Sequence, residues 1–354
     1  MADFPRHLVE RVAAADLGLR PAVCQLQILG DELDVADRAF AQLDLAPLAT
    51  LLAQSGFGAP LHRVHVGAHG GRVRVEQERP CPAQEIARAT PANPMISYPY
   101  TRLLNANARV DMAAGLVLCS LETARSTGVP EQKLVFPLAA AEAEDSAFLS
   151  TRPELCRSRA IRLAGARALE LAGRALGEIE HVDLYSCFPS AVRVAAGELG
   201  LSEERPLTVT GGLTFGGGPL NSYARHAIAR TAELVRQQRG STGLVSASGG
   251  WLAKHAIALY SAAPPNDGFR YERLPPQRAL REALVDWEGP VSIEAYTVAH
   301  REGRPRIAHV ACLSDDGRRS WGTAGDPELL EAMMREEFCG RRGRLDGAGG
   351  LDLA

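Results

Sequence analysis

The stretch from Leu207 to Tyr260 constrains the fold more than any other part of the chain. A strand-like run, Leu207 to Val209, leads into a loop from Gly211 to Pro219 that carries Gly211, Gly212, Gly216, Gly217 and Gly218. A helix pattern follows, with Asn221 at its start and Ala224, Ala227, Ile228, Thr231, Leu234 and Val235 inward. Thr242 to Ala247 and Lys254 to Ser261 then read as two strands joined through Gly249 and Gly250. That much glycine beside a helix start brings backbone close to something, either a ligand or another element.

The flanking sequence supplies the layers. Asp111 to Ser120 reads as a small-residue strand buried on both faces, Leu121 to Thr127 as a short helix, and Leu134 to Leu138 as a strand. Glu154 to Leu171 is a helix stopped by Gly173; His181 to Ser186 is a strand and Ala191 to Leu199 a helix. Strands and helices in this order predict an α/β fold with a mixed sheet. Past Pro276 the pattern changes. Val291 to Val298 and Arg306 to Leu313 alternate with period two, Asp315-Asp316-Gly317 turns the chain, and Arg319 to Thr323 follows. Asp326-Pro327 opens a helix through Phe338. The expected organisation is a poorly patterned segment over 1–92, an α/β unit over 93–263, a linker over 264–280, a β-rich domain over 281–346 and a loose tail over 347–354. Within the first segment, Leu8 to Leu19 and Leu43 to Leu52 show helical spacing.

Composition narrows the function. Hydrophobic residues make up 46% and charged residues 23%, as in a soluble globular protein. A net charge of -3 speaks against a nucleic-acid partner, and all but Lys133 and Lys254 of the 39 basic residues are arginine. No apolar run reaches ~18 residues, so no membrane span is expected. The seven cysteines form no C-x-x-C pair, which leaves neither a zinc site nor a disulfide framework and suits a reducing cytoplasm. His62, His65 and His69 have no cysteine or carboxylate at ligand spacing, so no metal is expected there.

Three motifs carry a family resemblance: Tyr185-Ser186-Cys187-Phe188, Gly211 to Pro219, and Ser246 to Trp251. From about Asn93 to Tyr260 the chain resembles the second half of a thiolase. More closely, it resembles the thiolase-like protein type 1 group, commonly labelled acetyl-CoA acetyltransferase. Leu284 to Leu345 resembles that group's additional C-terminal domain. The resemblance implies a thiolase-like fold of αβαβα layers, with the C-terminal half complete and the N-terminal half largely absent, plus a small β-rich C-terminal domain. It implies acyl transfer in lipid metabolism through an acyl-cysteine, with a coenzyme A thioester as substrate or ligand and no tightly bound cofactor. The catalytic positions depart from the family pattern. No stretch before Asn93 resembles the nucleophile loop. The activating histidine falls at Gly218, the loop asparagine at Thr208, and the second cysteine near Ala247, between Ser246 and Ser248. Binding of an acyl-CoA with weak or no thiolase turnover is therefore expected; the alternative is a non-catalytic scaffold or subunit that pairs with a partner chain.

Cys187 and His255 are the candidate catalytic residues. Cys187 lies between a strand end and a helix start, where a thiolate is favoured, and equally suits a small residue filling a turn. His255 either points into the cleft or is satisfied in the core. Gly216, Gly217, Gly218, Ser248 and Gly249 are the candidate substrate-binding residues. The glycines hold an acyl carbonyl or phosphate, form a tight crossover, or do both. Tyr185 is expected to pack, His226 to lie at the surface or cap its helix, and Trp251 to cover the pocket. The expected partners are an acyl-CoA-type small molecule and a second chain, as a homo-oligomer or partner subunit, that covers the face left by the absent half.

Overall fold

The computed structural model describes residues 65–68, 71–74, 83–108, 110, 114–218, 221–276 and 280–353. The helical spacing expected at Leu8 to Leu19 and Leu43 to Leu52, and the side chains of His62, His65 and His69, fall outside the described residues. All described residues belong to one compact unit. Its strands are β1 (His65–Ala68), β2 (Gly71–Arg74), β3 (Met95–Tyr98), β4 (Tyr100–Thr101), β5 (Phe136–Glu144), β6 (His181–Asp183), β7 (Thr242–Gly249), β8 (Lys254–Ser261), β9 (Arg270–Arg273), β10 (Glu288–Arg301), β11 (Arg304–Leu313), β12 (Arg319–Ala324), β13 (Arg342–Asp346) and β14 (Leu351–Leu353). Its helices are α1 (Ala83–Ala87), α2 (Leu121–Ser126), α3 (Arg159–Ala172), α4 (Pro189–Leu199), α5 (Gly212–Phe215), α6 (Tyr223–Gln237) and α7 (Pro327–Met333).

A five-stranded mixed sheet runs in the order β6-β7-β8-β5-β9. Side-chain alternation sorts its two faces. Leu244 of β7 and Ile257 and Leu259 of β8 pack with Ile161, Ala164 and Ala168 of α3 and Ala195 and Ala196 of α4. Val245, one residue along, packs the opposite way against Leu213, Tyr223 and Ala227. Helices thus cover both faces. Small residues let them come close: a Cβ at Gly165 of α3 would run into the Leu199 side chain of α4. Ser158 caps α3 by accepting from the Ile161 amide at 3.3 Å, and Gly173 ends it in the left-handed conformation.

The second, seven-stranded sheet has a β12-β11-β10-β13-β14 path, with β3 also on β10 and β4 on β3. Its pairings are antiparallel. Val291, Ile293 and Val298 of β10 and Val310 and Cys312 of β11 form its core with Leu330 and Met333 of α7. Asp326 caps α7 through the Leu329 amide at 2.9 Å.

Several expectations change. Of the stretch Asp111 to Ser120 expected as a buried strand, the described residues 114–120 have no regular structure, and Val117 and Leu118 are 60% and 71% exposed. No neighbouring strand pairs with it among the described residues. Leu207 to Val209 is not a strand: Leu207 and Thr208 have no regular structure and Val209 lies in a bend. The stretch read as a linker contains β9, which adds to β5 in parallel; Glu272 is held by Arg167 of α3 at 2.6 Å. The tail is ordered by β14, where Leu351 pairs with Leu345 of β13 and is buried.

Candidate functional site

Two polar groupings flank the end of β7. The first is a small cavity of about 10 Å³ on the α3/α4 side. It is lined by Tyr185, Ser246, Ser248, Leu252 and His255, with Ile161, Ala191, Ala195, Ala247 and Ile257 completing the wall. Ser248 and His255 are cross-strand partners on β7 and β8, so their side chains share a face. His255 is 5% exposed, and its Nε2 is buried with no hydrogen-bond partner. Burial pushes its pKa below the usual histidine value, against the raising effects of the Leu252 backbone and of Asp145. The ring is therefore neutral near pH 7, one nitrogen donating and the other accepting. With Nε2 unpartnered, the Leu252 backbone bond falls to Nδ1. A carbonyl partner there makes Nδ1 the donor and leaves Nε2 the acceptor of the ring. Ser246 Oγ accepts from the Tyr185 amide at 2.9 Å, which leaves its hydroxyl proton to donate. A space of this size takes one small hydrogen-bonding group.

The second grouping organises the glycine loop and was not anticipated. Asp183, at the end of β6, is 0% exposed. Its Oδ2 accepts from Thr208 Oγ1 at 2.9 Å, the Val209 amide at 2.9 Å and Thr210 Oγ1 at 3.3 Å. Thr208 Oγ1 in turn accepts from the Gly211 and Gly212 amides at 3.1 and 3.0 Å. Thr210 Oγ1 and Tyr223 Oη share a hydrogen bond of 2.8 Å, and the Leu213 amide donates to Ser186 Oγ at 3.0 Å. Burial raises the Asp183 pKa, its hydrogen bonds opposing. Its Oδ1 has no partner. Thr208, which the resemblance sets in the place of the family's asparagine, is thus the hub of the loop. The sequence signal was a lone carboxylate between Val182 and Leu184 in a strand buried on both faces.

The sequence candidates divide between these places. Ser248 and His255 meet at the cavity. Cys187 does not join them: it packs with the Leu213, Tyr223 and Val245 group, and its carbonyl accepts from the Ala106 amide at 3.1 Å. Burial raises its thiol pKa, the opposite of an activated nucleophile. The glycines serve the fold. The Gly216 amide donates to Gly212 O at 2.7 Å and the Gly218 amide to Asn107 O at 2.9 Å, while Gly217 has φ 78°. A Cβ at Gly216 would lie 2.9 Å from Gly212 O, and one at Gly218 2.7 Å from the Leu213 side chain. Gly249 closes the β7–β8 turn, accepting from the Ala253 amide at 3.1 Å. His226 is buried rather than at the surface, its Nε2 3.1 Å from Ser222 Oγ. Trp251 does not cover the cavity: it is 70% exposed and absent from the lining. Tyr185 packs as expected, edge-on to Tyr223 with ring centroids 5.6 Å apart.

The architecture and this site define a thiolase-like fold. Residues 275–349 match the family described as the thiolase-like protein type 1 additional C-terminal domain. An acetyl-CoA acetyltransferase from Methanothermobacter thermautotrophicus is 30% identical over 160 residues, 40% of this chain; the chain thus spans 40% of that curated relative's length. The crystal structure of a monomeric SCP2-thiolase like protein type 1 from Mycobacterium smegmatis has a TM-score of 0.67 and 27% identity, covering 91% of this chain and 69% of that one. Within the thiolase-like class, these three findings together support thiolase-like protein type 1 as the group to which this chain is similar.

Proposed function

We propose that the chain binds an acyl thioester of the coenzyme A type beside His255, with weak or no thiolase turnover. The observation that carries this reading is the buried, partnerless Nε2 of His255, a residue that lines one small cavity together with Ser246 and Ser248. A buried polar atom without a partner costs about 1–3 kcal/mol, so a site that keeps one has a use for it. The Ser246 hydroxyl suits a thioester carbonyl oxygen. His255 Nε2 suits the hydrogen of a thiol or hydroxyl. The weak-turnover half rests on Cys187, the candidate nucleophile: covalent acyl transfer needs a thiol of lowered pKa, and burial shifts the Cys187 thiol upward. The similarity to a protein named acetyl-CoA acetyltransferase supports the ligand class.

Calorimetric titration of the full chain with acetyl-CoA tests both halves. Saturable binding that weakens about tenfold in His255→Asn is expected, together with thiolysis near background. Absence of saturable heat would overturn the binding half, and robust thiolysis the turnover half.

A further inference from the structure

The turn between β10 and β11 carries an unbalanced charge. Glu302 and Gly303 form it, with φ of 55° and 76°. Arg301 and Arg304 flank it as direct cross-strand partners. Arg306 follows Arg304 by two residues, at the β-bulge opposite Ala299 and His300. Arg301, Arg304 and Arg306 line, with Glu302, an open depression at the exposed hairpin tip. Like charges directly opposite one another across a strand pair are destabilising. Elsewhere in this sheet and its connections, arginines are balanced: Arg318, Arg319, Arg335, Arg341, Arg342 and Arg344 each take a carboxylate within 4.0 Å. Among the described residues, the three at the hairpin tip take none.

We propose that this tip is an anion site for a phosphate group of a small molecule, namely the phosphorylated nucleotide end of a coenzyme A-type carrier. Guanidinium groups match phosphate oxygens in a forked, charge-assisted geometry, and three of them, less the Glu302 carboxylate beside them, leave enough positive charge to match a phosphate monoester. β10 pairs with β3 through Val298 and Tyr98, and the chain continues through Tyr100, whose ring lies 5.7 Å from that of Phe188. It then reaches Asn105, whose carbonyl accepts from Thr214 Oγ1 of the glycine loop at 2.7 Å. The hairpin and the glycine loop are thus joined through one short run of backbone. The choice of carrier rests on the thioester reading; the anion site itself does not.

The test uses inorganic pyrophosphate, coenzyme A and dephospho-coenzyme A as probes on the full chain and on Arg301→Gln/Arg304→Gln. Salt-sensitive pyrophosphate binding that weakens roughly tenfold or more in the double variant is expected, with the thermal midpoint unchanged or raised by the relief of the Arg301–Arg304 repulsion. Wild-type protein is also expected to prefer coenzyme A over dephospho-coenzyme A, and the variant to lose that preference. No pyrophosphate binding, or equal binding by the variant, overturns the site. Pyrophosphate binding without a preference for coenzyme A overturns the carrier. His255→Asn keeps pyrophosphate binding intact, which separates a failure of this proposal from a failure of the thioester reading.

Discussion

His255 has a consequence for stability as well as for binding. Its folded pKa is lowered by burial, while in the unfolded chain it titrates at about 6.5. Below that value the unfolded state binds more protons than the folded one. Stability is therefore full above about pH 6.5 and is lost as pH falls toward the folded pKa. His181 and His226 are shifted in the same direction, also chiefly by burial, so the acid loss is shared. Urea unfolding of wild type and His255→Asn at neutral and mildly acidic pH checks the share that belongs to His255. The stability gap between the two proteins is expected to shrink, or change sign, as pH falls. A gap that stays constant with pH would mean that folding does not shift the His255 pKa.

At the scale of elements, the glycine loop is held by its own backbone, with little room for side chains. Gly216 ends α5, and a Cβ there would press on Gly212 O and on Thr210 O at 3.0 Å. Neither carbonyl can move freely, because α5 and the Asp183 network hold both ends of the turn. Gly216→Ala is expected to cost about 1–3 kcal/mol, read as a lower urea midpoint with an unchanged slope. An unaffected midpoint would show that the loop relaxes at no cost. The elements around this loop were legible in the sequence where burial is one-sided and long. α3 and α6 carry apolar stripes over four turns, and β7 and β8 alternate or run apolar for eight residues. β9 was not legible, because Arg270, Tyr271 and Arg273 are exposed and only its backbone, paired with β5, makes it a strand. β14 was missed for a similar reason: three residues give no period to read. Leu116 to Leu118 misled in the opposite direction, since apolar residues form a strand only beside one. At the site, the pairing of Ser248 with His255 followed from reading two adjacent strands. The separation of Cys187 from His255 depends on which sheet face each side chain takes, and that is set in three dimensions.

At the scale of the whole molecule, one arginine links the β-rich sheet to the His255 cavity. Arg319 of β12 is fully buried. It forks onto both carboxylate oxygens of Glu294, at 2.5 and 2.6 Å. Its Nη1 also donates to the carbonyls of Leu149, Ser150 and Arg152, at 2.8, 3.2 and 2.6 Å. Trp321 Nε1 adds a bond to Ser150 Oγ at 2.9 Å. The Arg152 side chain then reaches Ser146 O at 3.2 Å and the Trp251 carbonyl in the β7–β8 turn, while the Asp145 amide donates to Ala253 O at 2.8 Å. The turn that aims His255 is thus tied through the 149–152 segment to the second sheet. Removing the arginine alone strands Glu294 and the Ser150 and Arg152 carbonyls, while the Leu149 carbonyl keeps the Arg152 amide, so Arg319→Met is expected to lose about 3–5 kcal/mol. Replacing both partners removes the stranded charge, so Arg319→Met/Glu294→Met is expected to be more stable than Arg319→Met alone. Hydrogen exchange supplies the second readout. The Arg152 and Ala253 amides are expected to exchange faster in Arg319→Met, while β11 amides near Val310 change only in proportion to global stability. Loss of protection in the second sheet alone, with Ala253 unchanged, would show that the two sheets are joined without coupling and that the His255 turn is held by the first sheet unaided.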